Sequence, residues 1–157
     1  MKIVRFYTTK GEIEAELYSE DAPATVENFI QLVEDGFFDG LLFFQYVHDT
    51  FVKTGCPNND GTGGPGYFIK SELNGIQQMH DIGVLSMCNA GINTSGSQFI
   101  ICLDRNNVEH LDGNQTCFGK IRNKSIDEIY LIRRFDRIKS AEIDEIDDTV
   151  DPDAVEV

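Results

Sequence analysis

The sequence predicts an all-β domain: an eight-stranded antiparallel closed β-barrel with two capping helices. Three observations favour this fold. Seven or eight short segments rich in Val, Ile, Phe and Tyr have the alternating or continuous apolar pattern of strands. Two segments have the apolar spacing of a helix. The strands and helices do not alternate as a parallel sheet requires, so an antiparallel barrel whose open ends are covered by helices is the expected architecture.

The first two strands are expected to form a hairpin. Residues 3–8 alternate apolar and polar side chains, and residues 13–17 alternate again. Lys10 and Gly11 lie between them and suit a tight turn. A second hairpin is expected around His48 and Asp49. The remaining strands are predicted at residues 43–47, 51–55, 83–89, 97–103, 115–121 and 138–146.

Two helices are predicted from apolar spacing and end signals. The first lies in "DAPATVENFIQLVEDG", where Pro23 suits the first turn and Gly36 suits the C-terminus. The second lies in "SIDEIYLIRRF", where Ser125 and Glu128 have the spacing of a capping box. With eleven Phe and no Trp, phenylalanine should supply most of the aromatic core.

The chain of 157 residues is expected to hold one domain, residues 1–146, followed by an acidic, disordered tail, residues 147–157. The formal net charge of −14 argues against direct binding of nucleic acid or an anionic membrane, and would attract a basic or arginine-rich segment. The N-terminus lacks the apolar region of a signal peptide. These observations favour the cytoplasm or the nucleus. We also expect a monomer.

Neither a metal nor a cofactor is expected. The cysteines have no C-x-x-C spacing and are predicted to be buried free thiols in a reducing compartment; they are Cys56, Cys88, Cys102 and Cys117. The histidines are scattered, without the spacing of ligands or of a catalytic triad, and are predicted to lie on the surface; they are His48, His80 and His110.

The stretch "GTGGPG" fits the dinucleotide-binding pattern G-x-G-x-x-G by its letters. Pro65 interrupts it, however, and the residues that follow lack helical periodicity. No acidic residue completes a strand–helix–strand unit. The prediction is a surface loop built from glycine.

Two longer stretches carry a resemblance to a known family. "FDGLLFF…TFVKTGCPNNDGTGGPGY" and "GVLSMCNAGINTSGSQFII…LDGNQTCFGKI" resemble the cyclophilins, which are cyclosporin-binding peptidyl-prolyl cis-trans isomerases. The similarity extends, more weakly, to the first hairpin and to "APATVENFIQL". The family fold is an eight-stranded barrel capped by two helices, which agrees with the elements predicted above.

The resemblance implies a peptide-binding groove on the outside of the barrel. Phe51 and Leu111 match residues of the family's proline pocket. Gln98 matches the glutamine of "GSQFF", and Asn89 and Ala90 fall in the stretch whose backbone holds the peptide. Cys88 replaces the alanine that is usual in that stretch.

This chain also departs from the family pattern, which usually reads F-H-R-V-I where "FFQYV" stands here. Gln45 takes the place of the catalytic arginine, and Lys53, one strand over, takes the place of a glutamine. Thr50 and Ile100 replace two phenylalanines of the pocket. His110 replaces the tryptophan before "LDG", in a stretch about two residues longer than usual, and Gln115 replaces a histidine. Cyclosporin is therefore expected to bind weakly.

Two functions follow from the resemblance. The first is a peptidyl-prolyl isomerase that assists protein folding or remodelling, with activity weakened by Gln45. The second is a catalytically inactive scaffold that binds a proline-containing segment in a larger assembly, such as a nuclear, spliceosomal one. Gln45 and Lys53 are expected to lie on neighbouring strands and to face one groove, because the side chains of Phe51 and Lys53 share a strand face.

Overall fold

The computed structural model describes residues 1–147, which form one antiparallel sheet and three α-helices. The helices are α1 (Pro23–Glu34), α2 (Arg105–Val108) and α3 (Ile126–Ile129). The strands are β1 (Lys2–Thr8), β2 (Gly11–Leu17), β3 (Gln45–Val47), β4 (Phe51–Thr54), β5 (Val84–Met87), β6 (Phe99–Cys102), β7 (Cys117–Ile121) and β8 (Ile138–Glu145). Their order in the sheet is β3-β4-β6-β5-β7-β2-β1-β8.

Both predicted hairpins are confirmed. The β1–β2 hairpin turns between Thr8 and Gly11, which are cross-strand partners. Gly11 has φ +116°, a backbone conformation that glycine adopts without a steric penalty. The β3–β4 hairpin turns through Asp49, which has φ +53° and belongs to one of the residue types that best tolerate the left-handed region.

The sheet curls around its core, but the predicted closed barrel is not confirmed. β3 and β8 are the two ends of the strand order and share no ladder. The segments that precede them are joined by an isolated bridge between Leu42 and Arg137 and by a bond from the Phe43 N–H to the Asp136 carbonyl at 2.8 Å. This contact is confined to residues before β3 and β8 begin, so it stays a single bridge.

Helix α1 is confirmed as predicted. Pro23 is its first residue, and Gly36, with φ +74°, follows its C-terminal end. Its N-cap residue, Ala22, has no capping side chain. Instead the carboxylate of Glu72, from the long loop, accepts a hydrogen bond from the Thr25 N–H at 2.7 Å. This contact satisfies a backbone donor that the helix itself leaves free.

The predicted second helix is reduced to the four residues of α3, and its capping box is wrong. The Ser125 side chain does not cap the helix. Its hydroxyl oxygen accepts a hydrogen bond from the Glu14 N–H at 3.0 Å, inside the protein. A buried backbone donor without a partner costs more than a helix cap gains, so the tertiary contact takes this side chain. The short helix α2 was not predicted.

The main core is built from phenylalanine, as predicted. Neighbouring ring centroids lie between 4.9 Å, for Phe29 and Phe118, and 6.2 Å, for Phe6 and Phe29. A second, smaller apolar cluster contains Tyr18, Val84, Ile100, Cys102, Val108 and Cys117. Phe51 and Leu111 pack against this smaller cluster. The site described below lies there.

The predicted acidic tail, 147–157, lies outside the described residues except for Asp147, which is exposed. Within residues 1–147, no helix has both the length and the apolar character needed to cross a membrane.

Candidate functional site

A small pocket of about 70 Å³ opens beside the smaller apolar cluster. Eight of the positions that the sequence singled out line it. They are Thr50, Phe51, Lys53, Cys88, Ile100, His110, Leu111 and Gln115. Asn107 and Val108 also line it and were not predicted. Both lie in the unpredicted helix α2, where the resemblance is interrupted by extra residues.

The alternation of β4 positions the side chains of the small pocket. Val52 and Thr54 are buried on one face, while Phe51 and Lys53 are partly exposed on the other. Ile100 on β6 is the cross-strand partner of Lys53 and is 2% exposed. Ile100 therefore forms an apolar wall of the pocket, part of the same cluster as Val108.

A larger groove of about 690 Å³ adjoins the small pocket. Asn89, Ala90 and Gln98 line it, and Lys53 and Cys88 line both cavities. The glycine loop, residues 61–66, forms one of its walls, so the loop contributes to the site as well as to the surface.

Gln98 holds the glycine loop in place. Its side-chain amide donates to the carbonyl oxygens of Gly61 at 2.9 Å and of Gly63 at 2.8 Å. Asn89 donates from its amide group to the carbonyl of Asn114 at 2.7 Å. These two amides connect the walls of the groove to neighbouring loops.

Lys53 lies where the two cavities meet. Its ammonium group is 5.4 Å from the centroid of the Phe51 ring, a cation–π contact. No carboxylate within residues 1–147 forms an ion pair with it. The site therefore contains a cation held by an aromatic face and free to meet a ligand.

Gln45 is directly opposite Lys53 across β3 and β4. The prediction that the two residues lie on neighbouring strands is thus confirmed. Gln45 is exposed on the end strand of the sheet and does not line either cavity. The prediction that both side chains face one groove is not confirmed, and the relation of Gln45 to a bound peptide stays a prediction.

Thr50 and His110 differ in how firmly they are held. The Thr50 hydroxyl donates to the His48 carbonyl at 3.0 Å within the hairpin turn. His110 is exposed on a single 3₁₀ turn, and its carbonyl accepts from the Asn114 amide at 3.1 Å. His48 and His110 lie on the surface, as predicted.

The prediction of a surface position is wrong for His80, which is completely buried. Its Nδ1 lies 2.9 Å from an Asp112 carboxylate oxygen and its Nε2 lies 2.7 Å from the Ser86 hydroxyl oxygen. Arg105 donates to the other Asp112 oxygen at 2.7 Å. A buried imidazole needs such partners for its ring nitrogens. One of them, Asp112, lies 32 positions away in the sequence.

Ser86, His80 and Asp112 have the contacts of a hydrolase triad, but Ser86 is completely buried, so a substrate has no access to it. Burial lowers the pKa of His80, and this outweighs the hydrogen bond with Asp112, which raises it. Burial raises the pKa of Asp112, but hydrogen bonds from the His80 backbone N–H and from Arg105 outweigh it, so the pKa lies below its ordinary value. The cluster reaches the small pocket through Gln115, whose Oε1 accepts from Ser86 at 3.2 Å.

The cysteines are free thiols, as predicted; three are buried and Cys88 is half-buried. Burial raises the pKa of Cys88 to about 11, against the opposing influence of Lys53. Cys88 is therefore protonated at neutral pH and contributes an apolar surface to both cavities. In the described part of the chain, no group of three or more His, Cys, Asp or Glu side chains is arranged to hold a metal ion.

Comparison with known proteins gives the class of this fold and site. The family model for cyclophilin type peptidyl-prolyl cis-trans isomerases matches residues 3–155. A peptidyl-prolyl cis-trans isomerase of Synechococcus elongatus is 44% identical over 137 residues, which cover 87% of this chain and 92% of that protein. Peptidyl-prolyl cis-trans isomerase B of Bacillus subtilis is 48% identical over 122 residues, which cover 77% and 84%.

A more distant relative and a solved structure are also similar to this chain. A spliceosome-associated protein of Xenopus laevis is 34% identical over 132 residues, which cover 82% of this chain and 27% of that protein. A crystal structure of a cyclophilin type isomerase from Cryptosporidium parvum has a TM-score of 0.83 at 24% identity and covers 93% of this chain and 99% of that one. The same protein with the dipeptide Ala-Pro gives a TM-score of 0.81.

The chain belongs to the cyclophilin-type peptidyl-prolyl cis-trans isomerase family.

Proposed function

We propose that this protein is a peptidyl-prolyl cis-trans isomerase whose activity is weakened and whose remaining electrostatic catalysis comes from Lys53. One observation carries this proposal. Lys53 is a cation without an ion-pair partner in residues 1–147, and it lies where the small pocket meets the large groove. A peptide that placed its proline ring in the small pocket would bring the prolyl amide to this junction.

The chemistry requires no covalent step. Amide resonance sets a barrier of about 18–20 kcal/mol to rotation about the X–Pro bond. In the twisted state the prolyl nitrogen regains a lone pair, which can accept a hydrogen bond. A donor that bonds this nitrogen only in the twisted state lowers the barrier, because it binds the transition state better than the ground state.

The weakening follows from the donor groups that are present. Arginine suits this task because its charge is fixed and its donors form a planar fork. Gln45 retains an N–H donor without the charge, and charge-assisted hydrogen bonds are about twice as strong as neutral ones. A loss of about 2–4 kcal/mol of transition-state stabilisation is consistent with this difference. Thr50 and Ile100 also give the pocket less flat aromatic surface against which a proline ring can pack.

Binding of a proline-containing segment is supported by the two adjoining cavities and by the similar isomerase of known structure that was crystallised with Ala-Pro. The small pocket has the apolar walls Phe51, Ile100 and Leu111 that a proline ring would contact. The large groove has backbone and amide groups that can hold an extended peptide.

The alternative function is a binding module without turnover. The similarity to a spliceosome-associated protein, of which the match covers 27%, favours a role as one domain of a larger nuclear assembly. In that case the pocket would select a proline-containing segment, and Lys53 would serve as a surface cation.

Measured isomerisation of an Ala-Pro peptide separates the two functions. We expect a rate above the uncatalysed rate and below that of the Bacillus relative at equal enzyme concentration. A rate equal to the uncatalysed one would favour the binding module, and a rate equal to that of the relative would contradict the proposed weakening.

A further inference from the structure

A second surface of the molecule combines exposed arginines with exposed apolar side chains. We call it the arginine–aromatic surface and define it by Tyr46, Leu131, Arg133, Arg134 and Phe135. Four of the 13 Lys and Arg residues lie in the seven positions 133–139, although the formal net charge of the chain is −14. Two of these four, Arg133 and Arg134, lie in the surface, whereas the chain as a whole is acidic.

The two arginines at its centre are held by neutral groups. The Arg133 guanidinium lies 4.8 Å from the centroid of the Tyr46 ring and donates to the Tyr130 carbonyl at 2.7 Å. The Arg134 guanidinium lies 4.5 Å from the centroid of the Phe135 ring, and its Nε donates to the Phe44 carbonyl at 3.3 Å. Rings and carbonyls fix the two side chains in position without neutralising their charge.

No carboxylate within residues 1–147 forms an ion pair with either arginine. The nearest acidic residue in sequence, Asp136, is occupied by other donors. It accepts from Lys10 Nζ at 3.0 Å, from the Thr9 hydroxyl at 2.9 Å and from the Arg133 backbone N–H at 2.7 Å. The guanidinium groups are thus oriented, exposed and available to an external anion.

The apolar part of the surface is unusual in its backbone as well as its exposure. Phe135 is 60% exposed and has φ +75°, a conformation that is strained for a bulky residue and natural for glycine. Leu131, in the same segment, is 54% exposed. A strained aromatic residue that gains little burial is an observation that calls for a functional explanation.

We propose that the arginine–aromatic surface docks an extended, acidic protein segment that carries apolar side chains. Carboxylates would pair with the oriented guanidinium groups, and an apolar side chain would pack on Phe135 and Leu131. Arginine and aromatic residues are the types enriched in protein interfaces. The acidic remainder of the molecule repels both kinds of anion, but a protein segment carries fewer charges than nucleic acid and has apolar side chains that can pack on Phe135 and Leu131. Nucleic acid is therefore the weaker candidate.

Docking here would be independent of the isomerase site. Residues 131–135 do not line the small pocket or the large groove. The protein would then hold a partner at one surface while it acts on, or binds, a proline-containing segment at another.

A fluorescein-labelled decapeptide tests this proposal. The probe alternates Asp or Glu with Leu or Val and contains no proline, which keeps it from competing for the small pocket. Its control has Asn and Gln in place of the acids. By fluorescence anisotropy we expect micromolar binding of the acidic probe that weakens with added salt, and about tenfold weaker binding of the neutral control.

Matched variants locate the binding. Arg133→Gln/Arg134→Gln should weaken the acidic probe about tenfold, whereas Lys2→Gln/Lys120→Gln, with the same change of net charge at exposed positions on β1 and β7, should leave it unchanged. Phe135→Gly should also weaken binding while the protein stays folded, because glycine accepts the backbone conformation of Phe135. Amide shifts of ¹⁵N-labelled protein should appear at Tyr46 and at residues 130–137.

Several outcomes would overturn the proposal. One is that the acidic probe binds the arginine double variant and the lysine double variant with equal affinity. The others are amide shifts confined to the large groove, and tighter binding of a phosphate-rich oligonucleotide than of the peptide. If residues 1–147 bind the probe and the full chain does not, the chain's own acidic tail is the occupant. If sedimentation shows a dimer that Arg133→Gln/Arg134→Gln disrupts, the occupant is a second copy.

Discussion

Gln45 and Lys53 are cross-strand partners on β3 and β4, so a neutral donor and a cation share one pair of positions at the edge of the candidate site. The resemblance to the family implies the opposite distribution, with the cation on β3 and the glutamine on β4. Neighbouring strands lie about 5 Å apart, a distance that a lysine side chain can span. The pair therefore suggests a cation that has moved by one strand.

The double exchange Gln45→Arg/Lys53→Gln should raise kcat/KM about 30- to 1000-fold, because the charged planar fork that it supplies on β3 more than replaces the partial help from Lys53. Gln45→Arg alone should raise it less. It would place two like charges directly opposite each other, which destabilises a strand pair by roughly 0.2–1 kcal/mol. A coupled isomerisation assay on one Ala-Pro peptide measures all the variants. Unchanged activity in the double exchange would show that the residue at position 45 does not contribute to catalysis.

Cyclosporin should bind weakly. The family tryptophan, whose place His110 takes, donates an indole hydrogen bond to the drug and covers it. His110 is exposed and has less apolar area, and Thr50 and Ile100 offer less aromatic surface. Titration calorimetry should give a dissociation constant well above the nanomolar range, and His110→Trp should lower it. Nanomolar binding by the unaltered protein would contradict this expectation.

The free energy of unfolding should fall as the pH drops below about 6.5, the ordinary pKa of histidine, because of His80. Burial keeps the pKa of His80 in the folded protein below that value. The unfolded chain therefore takes up a proton before the folded one does, which favours unfolding, while above this pH both forms are neutral and the full contribution is present. Asp112 stays ionised throughout this range, since its pKa is also lowered.

Urea denaturation at pH 7.5 and pH 5.5 measures this effect. His80→Gln should be less stable at both values, because it loses the contacts to Asp112 and Ser86, but its stability should change less between them. An equal change in both proteins would show that His80 does not cause the pH dependence.

Glu72→Ala should destabilise the protein by about 1–2 kcal/mol, because the Glu72 carboxylate provides the N-terminal capping of α1 that Ala22 cannot. The Thr25 hydroxyl also donates to this carboxylate, at 2.6 Å, and loses its partner in the variant. Glu27→Ala, an exposed position of the same helix, is the matched control and should change stability by less than about 0.5 kcal/mol. Equal effects in thermal denaturation would argue against the capping role.

Local pattern predicted much of the fold. The alternation of β1 and β2, the Pro23 and Gly36 signals of α1 and the β3–β4 turn depend on neighbouring residues, so the sequence contains them. Closure of the sheet depends on how the segments before β3 and β8 meet, and no local pattern encodes that contact.

The site was predicted by resemblance. Two predictions made from local signals, for His80 and for Ser125, were wrong for the same physical reason. His80 was expected on the surface because a single histidine gives no signal of burial. Its partners Asp112 and Ser86 come from distant segments and are brought together by folding. Ser125 was expected to cap α3, but the buried N–H of Glu14, 111 positions away, takes its hydroxyl. Long-range satisfaction of buried polar groups overrides such local signals.

The central claim is that Lys53 supplies the remaining electrostatic catalysis. Exchange-spectroscopy NMR of a proline peptide tests it most directly, with the unaltered protein and Lys53→Gln compared at equal saturation and Lys53→Arg as the conservative control. Because the contact is made mainly in the twisted state, Lys53→Gln should abolish catalysed exchange while peptide affinity changes little, and Lys53→Arg should retain it. Equal exchange rates for the unaltered protein and Lys53→Gln would contradict the account, and Lys53 would then be a surface cation beside a peptide-binding pocket.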